Sequence, residues 1–550
     1  MKNKLKILFS IILSLSIFCA GAQHFSKTEI PVLFTDRDYC ISGDTVWFKV
    51  WHPKLSEHTG NIVRVQLDSK YNNLISEVAI KCNDSWAQGY IYVPDSLSTG
   101  QYFLTAFLKN INFTDLELEN KSLLVYNRFA EDISKIEIVQ PNNTKQNIKN
   151  SAVILLSTYK KEYQTREKVD IKIDINPGFN ISNMIVKAAL SDPLASGING
   201  EYKFKMQNSN TFIPDFTENN GILLSGKVTD INGIAQTDAL VIISIGGTQP
   251  YFDYYVLGEN GDFHFYLKNA FGSTDVVLQV VSNNAKQYKI QLENNSLVRK
   301  EIVRVQSEIL NQEQIDFINT AINAKFAQKL FNPSLPVQLS NCEIPARFTF
   351  PFYGPPTEQV IPDEFIDLPD FQEISREILP GLQYRLKNEE VTFRLINTSY
   401  RIFFEEEPLR LINGIPVFKN DLFVNLKSTD ISYIDIVKKE RIYGDLIFKG
   451  VLSVSLYDKS NSWLAQQPNI FEFNVNFLQP DKKPGYLNDQ NINPTFPDMR
   501  QTYFWDILNS NSLNDIAFTL SDRKGKVEIS VEGFTGDNEF FKTSTTIEVK

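Results

Sequence analysis

Four histidines, several carboxylate runs and four cysteines are the residues best suited to chemistry, and none sits in a catalytic or metal-binding pattern. His52 and His58 flank Pro53 in what reads as a solvated loop rather than a metal site. His264 alternates with Phe263 and Phe265 in an expected strand, and His24 falls on the expected mature arm. No G-x-S-x-G supplies a nucleophile elbow, and no G-x-x-x-x-G-K-S/T cradles a phosphate. Asp230, Asn232 and Gly233 lack the spacing of a calcium loop. Glu405-Glu406-Glu407 reads as solvated. Cys40, Cys82 and Cys342 match no zinc spacing. Cys40 and Cys82 fall in one expected domain and are the expected disulfide couple in an oxidising compartment; the alternative is three buried thiols. No catalytic residue, metal, cofactor or small-molecule substrate is expected, and the chain reads as non-enzymatic.

Lys2, Lys4 and Lys6, the apolar run Ile7 to Phe18, and Ala20-Gly21-Ala22 together form an expected signal peptide over 1–22, cut before Gln23. Phe18 before Cys19 argues against lipid attachment there. The apolar run is shorter than the roughly 20 residues of a membrane span. The formal net charge of the 550 residues is −10, more negative once the signal lysines are gone. An acidic chain is a poor partner for nucleic acid. Forty Phe and 22 Tyr against four Met favour pleated, half-buried surfaces, so a mainly β protein is expected.

The elements that would position any site alternate with period two. Val46, Phe48 and Val50 share one strand face, as do Val63, Val65 and Leu67. A first β-sandwich is expected over 23–128. Thr35-Asp36-Arg37-Asp38-Tyr39, Gly43 to Lys49, and Leu97 to Thr105 resemble the opening and closing strands of macroglobulin-type sandwiches. Tyr163 and Glu167 to Ile173 echo that opening, so a second such sandwich is expected over 150–218, arranged as beads on a string. Leu224 to Asp230, Gly233, Ala239 to Ser244 and Glu259 to Phe263 resemble a carboxypeptidase-regulatory-like Ig domain over 221–305. Its expected hairpins turn at Asn232-Gly233 and Asn260-Gly261, with positive φ at both residues. Ile315, Ile318, Ile322, Phe326 and Leu330 mark a helix over 311–331, capped by Asn311 with Gln314. The macroglobulin resemblance does not extend to a thioester, because Cys342-Glu343-Ile344-Pro345 departs from Cys-x-Glu-Gln after the cysteine.

A proline-rich linker is expected over 342–369. Beyond it, Leu411-Ile412-Asn413-Gly414, Ile431 to Val437 with Ile434 at its centre, Tyr443-Gly444 and Gly450 to Val454 resemble the plug domain of TonB-dependent outer-membrane receptors. That resemblance implies a small α+β domain over 366–478, with Leu411, Asn413, Gly414, Ile434, Tyr443, Gly444 and Gly450 as its core and turns. Asp370 is expected to cap a short helix through Phe371, Ile374 and Ile378. In that family the plug fills a barrel of about 22 strands, which the residues after Leu456 are too few to build. Thr28 to Val32 reads as the start of the first strand rather than a TonB box. A loose stretch over 479–497 and a terminal β segment over 498–550 follow; Thr502 to Trp505 and Val531 to Phe534 resemble the last part of the same exported multidomain proteins, where a fuller Ig-type domain is expected, so this segment is either truncated or completed by strands from elsewhere in the chain. The fold class is therefore mainly β: tandem Ig- and macroglobulin-like sandwiches, a small plug-like α+β domain and a terminal β segment. The resemblance implies a periplasmic protein at the inner face of the outer membrane. There it would dock on, and occlude or gate, a β-barrel channel supplied by another chain, a secretion translocon or transporter. The alternative is a cell-envelope scaffold or adhesion protein.

Overall fold

The computed structural model describes residues 30–550 except 53–59, 84, 110–116, 141–152, 182, 195–201, 209–216, 238, 248–249, 283–286, 295, 301–302, 332–349, 388–389, 485–494, 510–515 and 538. The signal segment 1–22, His24, His58 and Cys342 lie outside the described residues. No described helix is long and apolar enough to cross a membrane. The fold is mainly β, built of sandwiches and one small α+β unit.

The first sandwich packs the sheet Val32–Thr35, Thr45–Trp51 and Trp86–Tyr92 against a larger one centred on Ile62–Ser69, Gly100–Phe107 and Glu117–Tyr126. Val46, Phe48 and Val50 point into its core with Val63, Val65 and Leu67, as the period-two pattern requires. Two strands of the larger sheet come from far along the chain. Tyr202–Asn208 pairs with Glu117–Tyr126, and Leu297–Arg299 pairs with Tyr202–Asn208. Val305–Ile309 likewise pairs with Lys135–Val139. The ranges 150–218 and 221–305 are therefore not self-contained units. Cys40 and Cys82 are buried in this core and not bonded to each other, which corrects the expected disulfide. Burial raises the Cys40 thiol pKa well above its ordinary value.

Helix α1, Gln312–Phe331, lies on this sandwich. Asn311 and Gln314 cap it reciprocally, each side chain accepting the other's backbone N–H at 2.9 Å. Ile318 and Ala321 join the core, whereas Phe326 and Leu330 are exposed. The apolar stripe outlasts the surface it covers.

The second sandwich joins part of the expected 150–218 domain to the expected terminal segment. Lys168–Ile175 pairs with Ile516–Thr519, and Asn183–Leu190 is flanked by Thr502–Asn509 and Gly525–Phe534. Val186 and Val531 face each other in register, both fully buried. The terminal segment 498–550 is thus the missing half of the sandwich begun at Val153, not a separate unit. Beads on a string is corrected to interleaving.

This sandwich covers the outer face of the first. Thr45–Trp51 is buried on both sides because Trp47 meets Trp505 and Ile185 there. Lys49 reaches Asp506 at 3.0 Å and lies 4.4 Å over the Trp505 ring. Trp51 stacks on Phe534 with centroids 3.7 Å apart.

A third sandwich packs Gly221–Asp230, Asp262–Lys268 and Tyr288–Leu292 against Leu240–Ile245, Tyr251–Val256, Ser273–Val281 and Ile470–Asn476. Its last strand follows the α+β unit, which is inserted into it. Residues 470–478 therefore belong to the sandwich and not to the 366–478 domain. At Asn232-Gly233 and Asn260-Gly261 the glycine alone has positive φ, at +83° and +71°. Gly233 N bonds to Asp230 O and Gly261 N to Gly258 O, so these are four-residue turns closed by one glycine. Gln479, expected in a loose stretch, is buried and bonds through its side chain to both Tyr90 N and Tyr90 O at 2.8 Å.

The α+β unit has a five-stranded sheet in the order Glu358–Val360, Ile431–Val437, Val451–Leu456, Leu409–Ile412, Ile415–Pro416. Helix α2, Phe371–Glu377, packs on it, with Asp370 capping Glu373 N at 2.8 Å. The described part of the proline-rich stretch is no linker: Tyr353 and Pro362 are buried, and Glu358–Val360 is a sheet strand.

Candidate docking site

The residues singled out over 411–450 serve two different ends. Leu411 and Ile434 are interior but face opposite sides of the five-stranded sheet. Ile434 joins Phe371, Ile374 and Phe393, while Leu411 packs with Tyr353, Val437 and Val451. Gly450 has φ +91°, and a Cβ there would lie 2.6 Å from the Val437 carbonyl, so only glycine fits. These three residues build the unit.

Asn413, Gly414, Tyr443 and Gly444 mount it. Asn413 and Gly414, at φ +51° and +83°, form the two-residue turn between Leu409–Ile412 and Ile415–Pro416. The turn lies on the third sandwich: a Cβ on Gly414 would fall 2.3 Å from Pro250 Cβ. Beside it, Gln279 Nε2 donates to Pro416 O at 2.8 Å, and Ile415 packs with Val277 and Leu464.

The second mount is the hairpin Arg441–Tyr443 and Leu446–Phe448, turned at Gly444. Tyr443 Oη donates to Phe252 O at 2.9 Å, and Asp445 N donates to Tyr254 Oη at 2.7 Å. Phe252 stacks on Phe352 with centroids 4.6 Å apart and meets Tyr443 edge-on at 5.3 Å. Behind it, the buried Asp435 accepts from Tyr353 Oη at 3.0 Å and Gln359 Nε2 at 2.8 Å. Burial pushes the Tyr353 hydroxyl pKa up, so it stays a donor.

Pro250, Phe252, Tyr254 and Phe352 are the docking residues that sequence reasoning missed. The aromatic run Tyr251 to Tyr255 was the only sequence signal for Phe252 and Tyr254.

The unit's other surfaces carry large apolar side chains in the open. Ile366 is 79% exposed, Tyr400 76% and Ile442 70%. Ile442 stands directly opposite Ile447, which is also exposed, so the docked hairpin carries a bare apolar pair. Ile402 and Phe403 form an exposed edge strand beside Ile396 and Asn397.

No described cluster of three or more His, Cys, Asp or Glu side chains could hold a metal. His52, expected in a solvated loop, is fully buried, with its backbone N–H on Ser85 O. His264 sits half-buried 3.6 Å from Asp262, and desolvation lowers its pKa. Glu405 and Glu406 are exposed as expected, but Glu407 is structural. It accepts from Phe393 N, Asn420 Nδ2 and Arg410 Nη1.

No protein-family model and no curated protein matches the sequence. Among solved structures, trypsin-activated alpha-2-macroglobulin from Escherichia coli aligns at 9% identity over 96% of this chain and 42% of that one, with a TM-score of 0.21. Salmonella alpha-2-macroglobulin reacted with methylamine aligns at 8% over 94% of this chain and 23% of that one, TM-score 0.15. A tetra-tandem repeat from the extending region of a large adhesion protein aligns at 7% over 94% and 99%, TM-score 0.12. The chain spans less than half the length of these macroglobulins. Superpositions this loose carry no argument; the fold rests on the sheets described above.

Proposed function

We propose that this chain is a non-enzymatic, exported envelope protein that presents its plug-like α+β unit to an outer-membrane β-barrel supplied by another chain. The observation that carries this reading is the unequal use of the unit's surface. The turns at Gly414 and Gly444 are spent inside the chain, on the third sandwich. Ile366, Tyr400, Ile402, Ile442 and Ile447 are left bare. Twelve of the 27 exposed large apolar side chains among the described residues fall within 350–457; such groups favour a partner surface, and the exposed edge at Ile402 favours strand addition.

The unit's fixed mounting narrows the mechanism. It would approach a barrel as one body with the third sandwich, capping the periplasmic mouth and gating by docking and release. Photo-crosslinking in cells tests this. A photoreactive residue at Ile442 or Ile402 should crosslink to a β-barrel protein, and one at the exposed Leu155 of the second sandwich should not. Equal labelling from all three positions, or none, favours the scaffold reading instead.

A further inference from the structure

One hairpin tip of the third sandwich is bare and apolar. Gly221–Asp230 runs out into Ile231-Asn232-Gly233-Ile234, and the chain returns through Ala235, which bridges to Thr229. Ile231 is 58% exposed and Ile234 63%. Asn232, Gly233 and Ala235 are exposed as well. A Cβ added at Gly233 would meet nothing within 4 Å, so the tip stands clear of its described neighbours. At the same end of the sandwich, Val256 closes its strand opposite Leu240 and is 63% exposed. Pro250, where the turn at Gly414 docks, lies at the other end.

The backbone of the tip is satisfied from within. The Asp230 carboxylate accepts from Asn232 N at 2.8 Å and Ile234 N at 3.0 Å, and Gly233 N donates to Asp230 O at 3.1 Å. Ile234 O accepts from Asp230 N at 2.9 Å and Gln236 Nε2 at 3.0 Å, and Ile231 O accepts from Lys289 Nζ at 3.3 Å. The two isoleucines therefore ride on a turn whose N–H groups at 232, 233 and 234 need no water.

These features select a partner. Backbone polar groups enter lipid at low cost only when they are bonded inside the protein. A specific protein interface buries about 800 Å² on each side, far more than a four-residue tip offers, whereas lipid demands no complementary shape. Lys289 stands just behind the tip, where a long side chain keeps its ammonium among headgroups while apolar neighbours go deeper. Glu259 is exposed on the next turn, which packs on Gln236 through Gly261, and it offsets that charge. We propose that this tip dips into a lipid bilayer, with Ile231 and Ile234 entering the acyl region and apolar burial rather than charge driving the contact. The proposal does not depend on a barrel partner for the α+β unit.

The test floats the protein from Gln23 onward with vesicles of phosphatidylcholine alone, and with vesicles of phosphatidylethanolamine and phosphatidylglycerol. Binding to both, little changed by salt, is expected. Ile231→Ser and Ile234→Ser should each weaken partitioning about five- to tenfold, because each removes an aliphatic side chain that lipid would bury. Neither should move the melting temperature, since both positions are exposed. Ile234→Trp keeps a large apolar group at the tip; it should still float, and brominated acyl chains should quench its fluorescence more than that of the unsubstituted protein. No flotation with either vesicle, or flotation that both serine variants retain in full, would overturn the proposal. So would binding that salt abolishes or that only the anionic vesicles support, because charged groups elsewhere would then carry it.

Discussion

Replacing Gly414 by valine separates the intrinsic cost of its turn from the cost of breaking its mount. The backbone at Gly414 has φ +83°, where a side chain is strained by about 1–2 kcal/mol. A Cβ would also lie 2.3 Å from Pro250 Cβ, against the about 3.5–4.0 Å at which carbons rest. The turn must therefore retreat by more than about 1 Å. That retreat breaks the bond from Gln279 Nε2 to Pro416 O, worth about 1 kcal/mol, and opens the contact of Ile415 with Val277. The total is about 3 kcal/mol. Converting Pro250 to glycine removes Pro250 Cβ and also Cγ, which would lie 3.0 Å from the added Cβ, so in that background the cost should fall to the backbone strain. Hydrogen exchange over 409–418, which reads local opening, measures both. A coupling between the two substitutions of about 1–2 kcal/mol is expected. The same cost in both backgrounds would falsify the docking account and leave Gly414 as a turn residue only.

Removing 498–550 should unfold the second sandwich and bare Trp47 and Trp51 on the first. Met184, Val186 and Ala188 lose the strands that bury them, so proteolysis should nick 153–190 while the third sandwich stays intact; continued protection of 153–190 contradicts the interleaved fold. Burial pushes the Asp68 carboxyl up to about 7, partly offset by a hydrogen bond from Gln66 Nε2 at 2.6 Å and by the charge of Arg299. A raised folded pKa contributes stability that is full below the unfolded value near about 4 and lost as pH rises through about 7. Asp68→Asn keeps an acceptor for Gln66 without the charge, so it should gain on the unsubstituted protein, on the order of 2 kcal/mol, between pH 5 and 8; parallel pH profiles in urea unfolding argue against a buried titrating Asp68. Non-reducing peptide maps should show no bridge between Cys40 and Cys82, and recovery of a crosslinked peptide pair counts against the fold of the first sandwich.

The sequence by itself determined the local structure. Strand faces followed from period-two alternation, as at Val46, Phe48 and Val50. The caps at Asn311 and Asp370 followed from side chains that satisfy the first turn's N–H groups. Asn413-Gly414 declared its turn because few residue pairs tolerate positive φ twice. Only tertiary structure decided the partners. Alternation says which face of a strand is buried but not against what, so nothing in Asn183–Leu190 indicates that both its neighbours lie beyond residue 500. The same limit hid the docking residues. Phe252 and Tyr254 sit on an ordinary-looking strand and gain their role from Tyr443 and Asp445, far away in the chain.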